Sequence, residues 1–185
     1  MEALFASTLA VAIAEIGDKT QLLSLFLVHK FRGRQLAIVG GIIAATLVNH
    51  ALSAWLGAIV AAWLPPGALK WIVGLSFIAI GAWLLIPDKD DEEESAVLKY
   101  GAFFATTILF FIAEIGDKTQ IATVVLAAKY EATTLVILGT TLGMLAANVP
   151  VIMLGDKLMQ KLPMVLAHRA AFVLFMVLGV VTLLA

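Results

Sequence analysis

Apolar residues fill most of the chain in long runs, and polar residues interrupt them in a few tight clusters. A first run covers about 4–28 and is broken only by the charged stretch around Glu15, Asp18 and Lys19. The segment His29-Lys-Phe-Arg-Gly-Arg34 closes it. A second run, about 36–64, ends at Pro65-Pro-Gly67, and a third covers about 69–86. The long polar stretch Pro87-Asp-Lys-Asp-Asp-Glu-Glu-Glu-Ser95 follows, and then runs at about 97–128, 133–154 and 165–184. A spanning helix needs roughly 20 mainly apolar residues. The pattern therefore predicts an all-α integral membrane protein with six transmembrane helices.

Composition strengthens that reading. The chain is 62% hydrophobic and 14% charged, whereas a soluble domain is about 45–50% apolar and about 25% charged. The lipid bilayer is thus an expected partner. Net charge is −1 and no basic patch with interleaved aromatics occurs, so no nucleic-acid partner is expected. There is no cysteine, which excludes disulfides, zinc–thiolate sites, iron–sulfur clusters and Cys nucleophiles. No resident cofactor is expected. The N-terminus lacks the positively charged region of a cleavable signal, so the first run is expected to stay as a span.

The chain repeats itself. Residues 13–21 and 112–120 both read IAEIGDKTQ, 99 positions apart. At the same offset Gly40 matches Gly139, Asn49 matches Asn148, and Lys70 matches Arg169. A three-helix unit, 1–87, is therefore read as duplicated in 97–185, with 88–96 as an acidic linker. An odd number of spans per unit makes the second enter the membrane from the opposite side. The expected architecture is two inverted-topology three-helix repeats, an arrangement recurrent among secondary transporters. Outside the motifs, Lys30, Arg32, Arg34, Lys89, Lys99, Lys157, Lys161 and Arg169 fall on one side of this topology, and Lys70 and Lys129 on the other. The positive-inside rule puts the first set in the cytoplasm. Both termini then lie outside, and the acidic loop is cytoplasmic.

Glu15 and Glu114 lie midway along their runs. A charge at the bilayer centre costs about 2.5–3.5 kcal/mol on insertion scales, so such residues face a partner or a wet cavity. On a continuous helix Glu15 and Asp18, spaced i, i+3, share a face, and Lys19 leans on it. Gly17 either lets another helix approach closely or marks a break. The second copy repeats this with Glu114, Gly116, Asp117 and Lys118. Inversion brings the copies together at mid-depth. Four carboxylates then meet amide oxygens from Gln21, Gln120, Asn49 and Asn148 and hydroxyls from Thr20 and Thr119. Hard oxygen donors without Cys or a motif His suit Ca²⁺, Mn²⁺ or Mg²⁺. Four acids and two lysines leave two negative charges, which one divalent cation or two protons neutralise. Adjacent carboxylates disfavour joint ionisation, so metal and protons can alternate on one cluster.

A structural alternative pairs Glu15 with Lys19 and Glu114 with Lys118 as helix glue. It leaves Asp18 and Asp117 unused, and buried ion pairs stabilise poorly. An intramembrane aspartyl protease needs one acid per helix and has no use for a second acid and a Lys in each copy, so no enzyme is expected. His50 has Val149 as its counterpart and Met144 lies one turn before Asn148; a proton relay and a soft ligand are the functional readings, packing the plainer ones. Trp55, Trp63, Trp71 and Trp83 suit interfaces or packing.

The duplicated Glu-x-Gly-Asp-Lys-Thr, as Glu15–Thr20 and Glu114–Thr119 in a six-span chain split by an acidic loop, resembles the Golgi manganese/calcium family of cation/proton exchangers, whose short bacterial members include manganese exporters. The resemblance covers essentially the whole chain. It implies export of Mn²⁺ or Ca²⁺ from the cytosol in exchange for protons, with the motif acids as the site. The lack of the long N-terminal extension of eukaryotic members points to a bacterial plasma membrane. A Ca²⁺/H⁺ antiporter and a passive divalent-cation channel are the alternatives. A homodimer is compatible with the sequence.

Overall fold

The computed structural model describes residues 1–86, 97–155 and 164–184. They form helices throughout, with no strand among them. In order these are α1 (Glu2–Ala14), α2 (Lys19–Lys30), α3 (Gln35–Trp63), α4 (Pro66–Trp83), a 3-10 turn (Val97–Tyr100), α5 (Ala102–Glu114), α6 (Lys118–Tyr130), α7 (Thr133–Leu154) and α8 (Met164–Leu184). The acidic linker 88–96, with Lys89, and also Lys157 and Lys161, lie outside the described residues.

The boundaries follow from local chemistry. Pro66 opens α4 at a position where a missing N–H costs nothing. The runs at 36–64, 133–154 and 165–184 each form one helix over nearly the expected residues. The runs at 4–28 and 97–128 do not: each divides into two helices at its copy of the motif. α3 and α7, with 29 and 22 residues, are long and apolar enough to cross a bilayer by themselves. α1 and α5 have 13 residues each, which reach about 20 Å, short of the ~30 Å hydrocarbon core.

Packing pairs the halves crosswise. α1 lies against α7, α5 against α3, and α4 against α8. A Cβ built on Gly139 would meet Leu4 and Ser7, and one on Gly143 would meet Thr8 and Val11, so α1 and α7 run in the same direction. Gly41 meets Phe103 and Thr106 while Gly57 meets Val124 and Ala127, so α5 and α6 together follow α3, also in parallel. Gly74 meets Gly179 and Leu183 while Gly81 meets Phe172 and Phe175, so α4 and α8 cross antiparallel. At that crossing the Phe77 and Phe175 rings pack edge-to-face with centroids 6.0 Å apart. One core joins α4, α6 and α8 around these rings, and another gathers Ile38, Ile42, Phe110 and Met144. The outside carries large apolar side chains, among them Leu36, Leu52, Trp55, Trp63 and Trp71. Apolar exposure of this extent marks a surface that meets lipid or protein rather than water.

Candidate functional site

Each copy of the motif ends one helix and starts another. In the first, Gly17 has φ 86°, and Asp18 is extended (φ −81°, ψ 165°) as the N-cap of α2. In the second, Gly116 has φ 74°, and Asp117 (φ −75°, ψ 162°) caps α6. A positive φ favours glycine, because a Cβ crowds the following carbonyl there. The restart has its own signature. Asp-Lys-Thr-Gln places an N-cap Asp three residues before a Gln, the pattern of a capping box. The Gly17 N–H donates to Gln21 Oε1 at 2.8 Å, and the Gly116 N–H donates to Gln120 Oε1 at 2.7 Å. Asp117 Oδ2 also accepts from the Thr119 N–H at 3.2 Å. The stripe expected on a continuous helix is thus replaced by a helix C-terminus and a helix N-terminus meeting at the acids. The Asp-x-x-Gln spacing is the sequence signal of this break, and of the two roles expected of Gly17 the break is the one observed.

The break aims the glutamates inward. Thr20 Oγ1 donates to Glu15 Oε2 at 2.6 Å, and Thr119 Oγ1 donates to Glu114 Oε2 at 3.1 Å. The other oxygens, Glu15 Oε1 and Glu114 Oε1, are buried and have no hydrogen-bond partner among the described residues. Glu15, Glu114 and Asp117 each offer a carboxylate oxygen within 4.8 Å of the others, and all three residues are buried. Asp18 is buried too. Lys19 crosses between the copies, with Nζ 3.6 Å from Asp117 Oδ1. Lys118 Nζ donates to the Ile86 carbonyl at 2.9 Å and lies 6.0 Å from the Trp83 ring centre.

The amides surround this cluster without matching one another. Asn49 Nδ2 donates to the Phe111 carbonyl at 3.0 Å. Asn148 Nδ2 donates to the Met144 carbonyl and Sδ, both at 3.1 Å, and Asn148 Oδ1 accepts from Ser24 Oγ at 2.8 Å. Gln21 Nε2 donates to the Ala147 carbonyl at 2.9 Å, tying the first break to α7. In this arrangement the oxygens of Gln21 and Gln120 point at the glycine N–H groups rather than at the carboxylates. Ser24, which the sequence does not single out, joins α2 to Asn148. His50 is fully buried, and neither ring nitrogen has a partner among the described residues.

Buried carboxylates converging where two broken helices meet, inside an all-helical bundle with an apolar exterior, define a multi-pass membrane protein that handles cations. The chain belongs to the divalent cation/proton antiporter GDT1 family, whose model matches residues 3–92 and 102–185. It is 51% identical over 183 residues to a protein of Vibrio cholerae serotype O1 named "Putative manganese exporter", covering 98% of this chain and 90% of that one. It is 29% identical over 155 residues to the GDT1-like protein sll0615 of Synechocystis, covering 71% of this chain and 73% of that one. No solved structure matches it. The protein is a transporter and not an enzyme.

Proposed function

We propose that the protein exports Mn²⁺ from the cytosol in exchange for protons, with Ca²⁺ as the alternative ion. The observation that carries this is the meeting of Glu15, Glu114 and Asp117 within 4.8 Å, two of them presenting an oxygen that no described protein group satisfies. Such oxygens need a cation or a proton. Glu15, Asp18, Glu114 and Asp117 bind metal and protons in turn. Asn49 and Asn148, with Gln21 and Gln120, supply amide oxygens to the ion or hold the backbone around it. Thr20 and Thr119 aim the glutamates. Lys19 and Lys118 limit the negative charge of the metal-free site. Gly17 and Gly116 allow the breaks. The family supports the exchange with protons, and the name of the Vibrio relative favours Mn²⁺.

The architecture in this reading has six spans: α1 with α2, α3, α4, α5 with α6, α7, and α8. The units 1–87 and 97–185 are inverted repeats around the linker 88–96 and form one transport domain. Support comes from the parallel runs of α1 with α7 and of α5 with α3. α3 reverses after the turn at 31–34, so a second unit that follows α3 runs opposite to the first. The bacterial relatives and the loop charges favour a bacterial inner membrane, with both termini outside and the linker in the cytoplasm.

The test is Mn²⁺ movement in proteoliposomes under an imposed pH gradient. Uphill Mn²⁺ flux that collapses with the gradient, and that is lost in Glu15→Gln and Asp117→Asn, is expected. Wild-type rates in both variants would remove the site assignment.

A further inference from the structure

The two repeats do not close around the cluster equally. Along α6, Val125, Ala127 and Ala128 are buried. Their counterparts on α2, Phe26, Val28 and His29, are not, and Phe26 and His29 are exposed. α6 packs closely on α3 and also on α4, and its far end is pinned: Lys129 Nζ donates to Thr182 Oγ1 at 2.7 Å and sits 5.6 Å from the centre of the Phe77 ring.

The docked seam runs outward from the site. Thr119, bonded to Glu114 and Asp117, is followed on the same helix face by Thr123 and Ala127, four residues apart, and then by Glu131 just past the end of α6. On α3, Gly57 faces Val124 and Ala127, and the buried His50 lies seven residues earlier, two turns away on the same side of the helix. His50 leaves both ring nitrogens buried without a partner among the described residues. Beyond Gly57 a cavity of about 330 Å³ opens, lined by Ala58, Ala61, Ala62, Ala127, Glu131 and Thr133. Between cluster and cavity the helices touch backbone to backbone. A Cβ on Gly57 would strike the Val124 carbonyl oxygen and lie 3.1 Å from Ala127 Cβ. Glu131 holds φ 49°, a conformation that side chains other than glycine rarely adopt.

We propose that the seam between α3 and α6 is the path by which the cation passes between the carboxylate cluster and the Glu131 end of the bundle, with the helix contact at Gly57 as its gate. This rests on the transport reading above. The cavity is the vestibule on the far side of the gate. The structure has that gate shut, while the outer half of the corresponding helix α2 at the opposite end is held by Leu27 but leaves Phe26, His29 and Lys30 exposed.

The chain contains no cysteine, so single cysteines report without background. Thr123→Cys lies on the cluster side of the gate. In sealed vesicles holding the full chain with the Glu131 end outward, a membrane-impermeant maleimide is expected to label it slowly. Adding Gly57→Ala, which keeps the helices apart, is expected to speed labelling by about fivefold or more, since overpacking a tight contact shifts such an equilibrium by at least that much. Gly40→Ala, whose Cβ would come no nearer than 3.5 Å to Phe103, leaves the rate unchanged. Labelling of Thr123→Cys that is equally slow with Gly57→Ala overturns the gate. Should that variant fail to fold, Ala58→Cys in the cavity decides instead. Its modification by a bulky maleimide stops Mn²⁺ movement, whereas modification of Leu36→Cys on the exposed surface does not. Undiminished transport after complete reaction at Ala58→Cys overturns the path. Wild-type vesicles that move no divalent ion would remove the transport reading, while the labelling contrast would still report on the gate.

Discussion

The two copies of IAEIGDKTQ are identical in sequence but sit in different surroundings. Both break their helix at glycine, recapture the glycine N–H with a glutamine, and clamp the glutamate with a threonine. Beyond the motif they part. The first copy is tied to α7 through Gln21 and Ser24, and Phe26, His29 and Lys30 on the outer half of α2 are exposed. The second leads into α6, which is packed on α3 and α4 and pinned at Lys129. What both copies share positions the carboxylates. What differs concerns how each end of the bundle closes over them. In a protein that must show one site to two sides in turn, a site shared by both copies with unequal covers is the expected design.

The largest expected effects come from the shared features. Glu15→Gln and Glu114→Gln each remove one of the two unsatisfied oxygens' charges, and each is expected to lower Mn²⁺ transport by about two orders of magnitude or more, as breaking a buried charge cluster does. Equal losses from the two copies support one site, and a loss from only one copy would separate them. Next comes Gly116→Ala. Nothing crowds the added methyl, but φ 74° is a left-handed conformation, which costs about 1–2 kcal/mol. A fall in thermal stability together with weaker Mn²⁺ binding is expected, readable by melting the purified protein with and without the ion. Gln120→Ala removes a cap worth about 1 kcal/mol, whereas Gln120→Glu keeps the acceptor that the Gly116 N–H requires. Transport is therefore expected to drop several-fold in the first and to survive better in the second. Smallest is Asn148→Ser, which loses the bonds to Met144 and Ser24. Those bonds steady α7 and α2, so the maximal rate is expected to fall modestly and the Mn²⁺/Ca²⁺ preference to stay unchanged in competition flux assays.

Much of this is readable in the amino-acid sequence. Run lengths gave α3, α7 and α8 almost to the residue, because a helix with apolar residues all round needs only length and flanking breakers to declare itself. The offset of 99 singled out the acids, since a charge in an apolar run is costly enough to need a reason. The break between Glu15 and Lys19 was harder. Its glycine is ambiguous between close packing and a turn, and the Asp-x-x-Gln cap is easily taken for a polar stripe. The unequal docking of α2 and α6 was not legible at all. Nine identical residues cannot encode it. It depends on Gly57, Lys129 and Thr182, which become partners only once the helices are packed.

The central claim is that carboxylates from both copies form one exchangeable cation site. It is tested most directly by Mn²⁺/H⁺ exchange in proteoliposomes carrying Glu15→Gln, Glu114→Gln and the double variant, side by side with wild type. The account predicts gradient-driven Mn²⁺ flux in wild type, its loss in each single variant, and no further loss in the double, because groups acting as a unit are not additive. Losses that multiply independently, or a single variant that still exchanges Mn²⁺ at the wild-type rate, would contradict it.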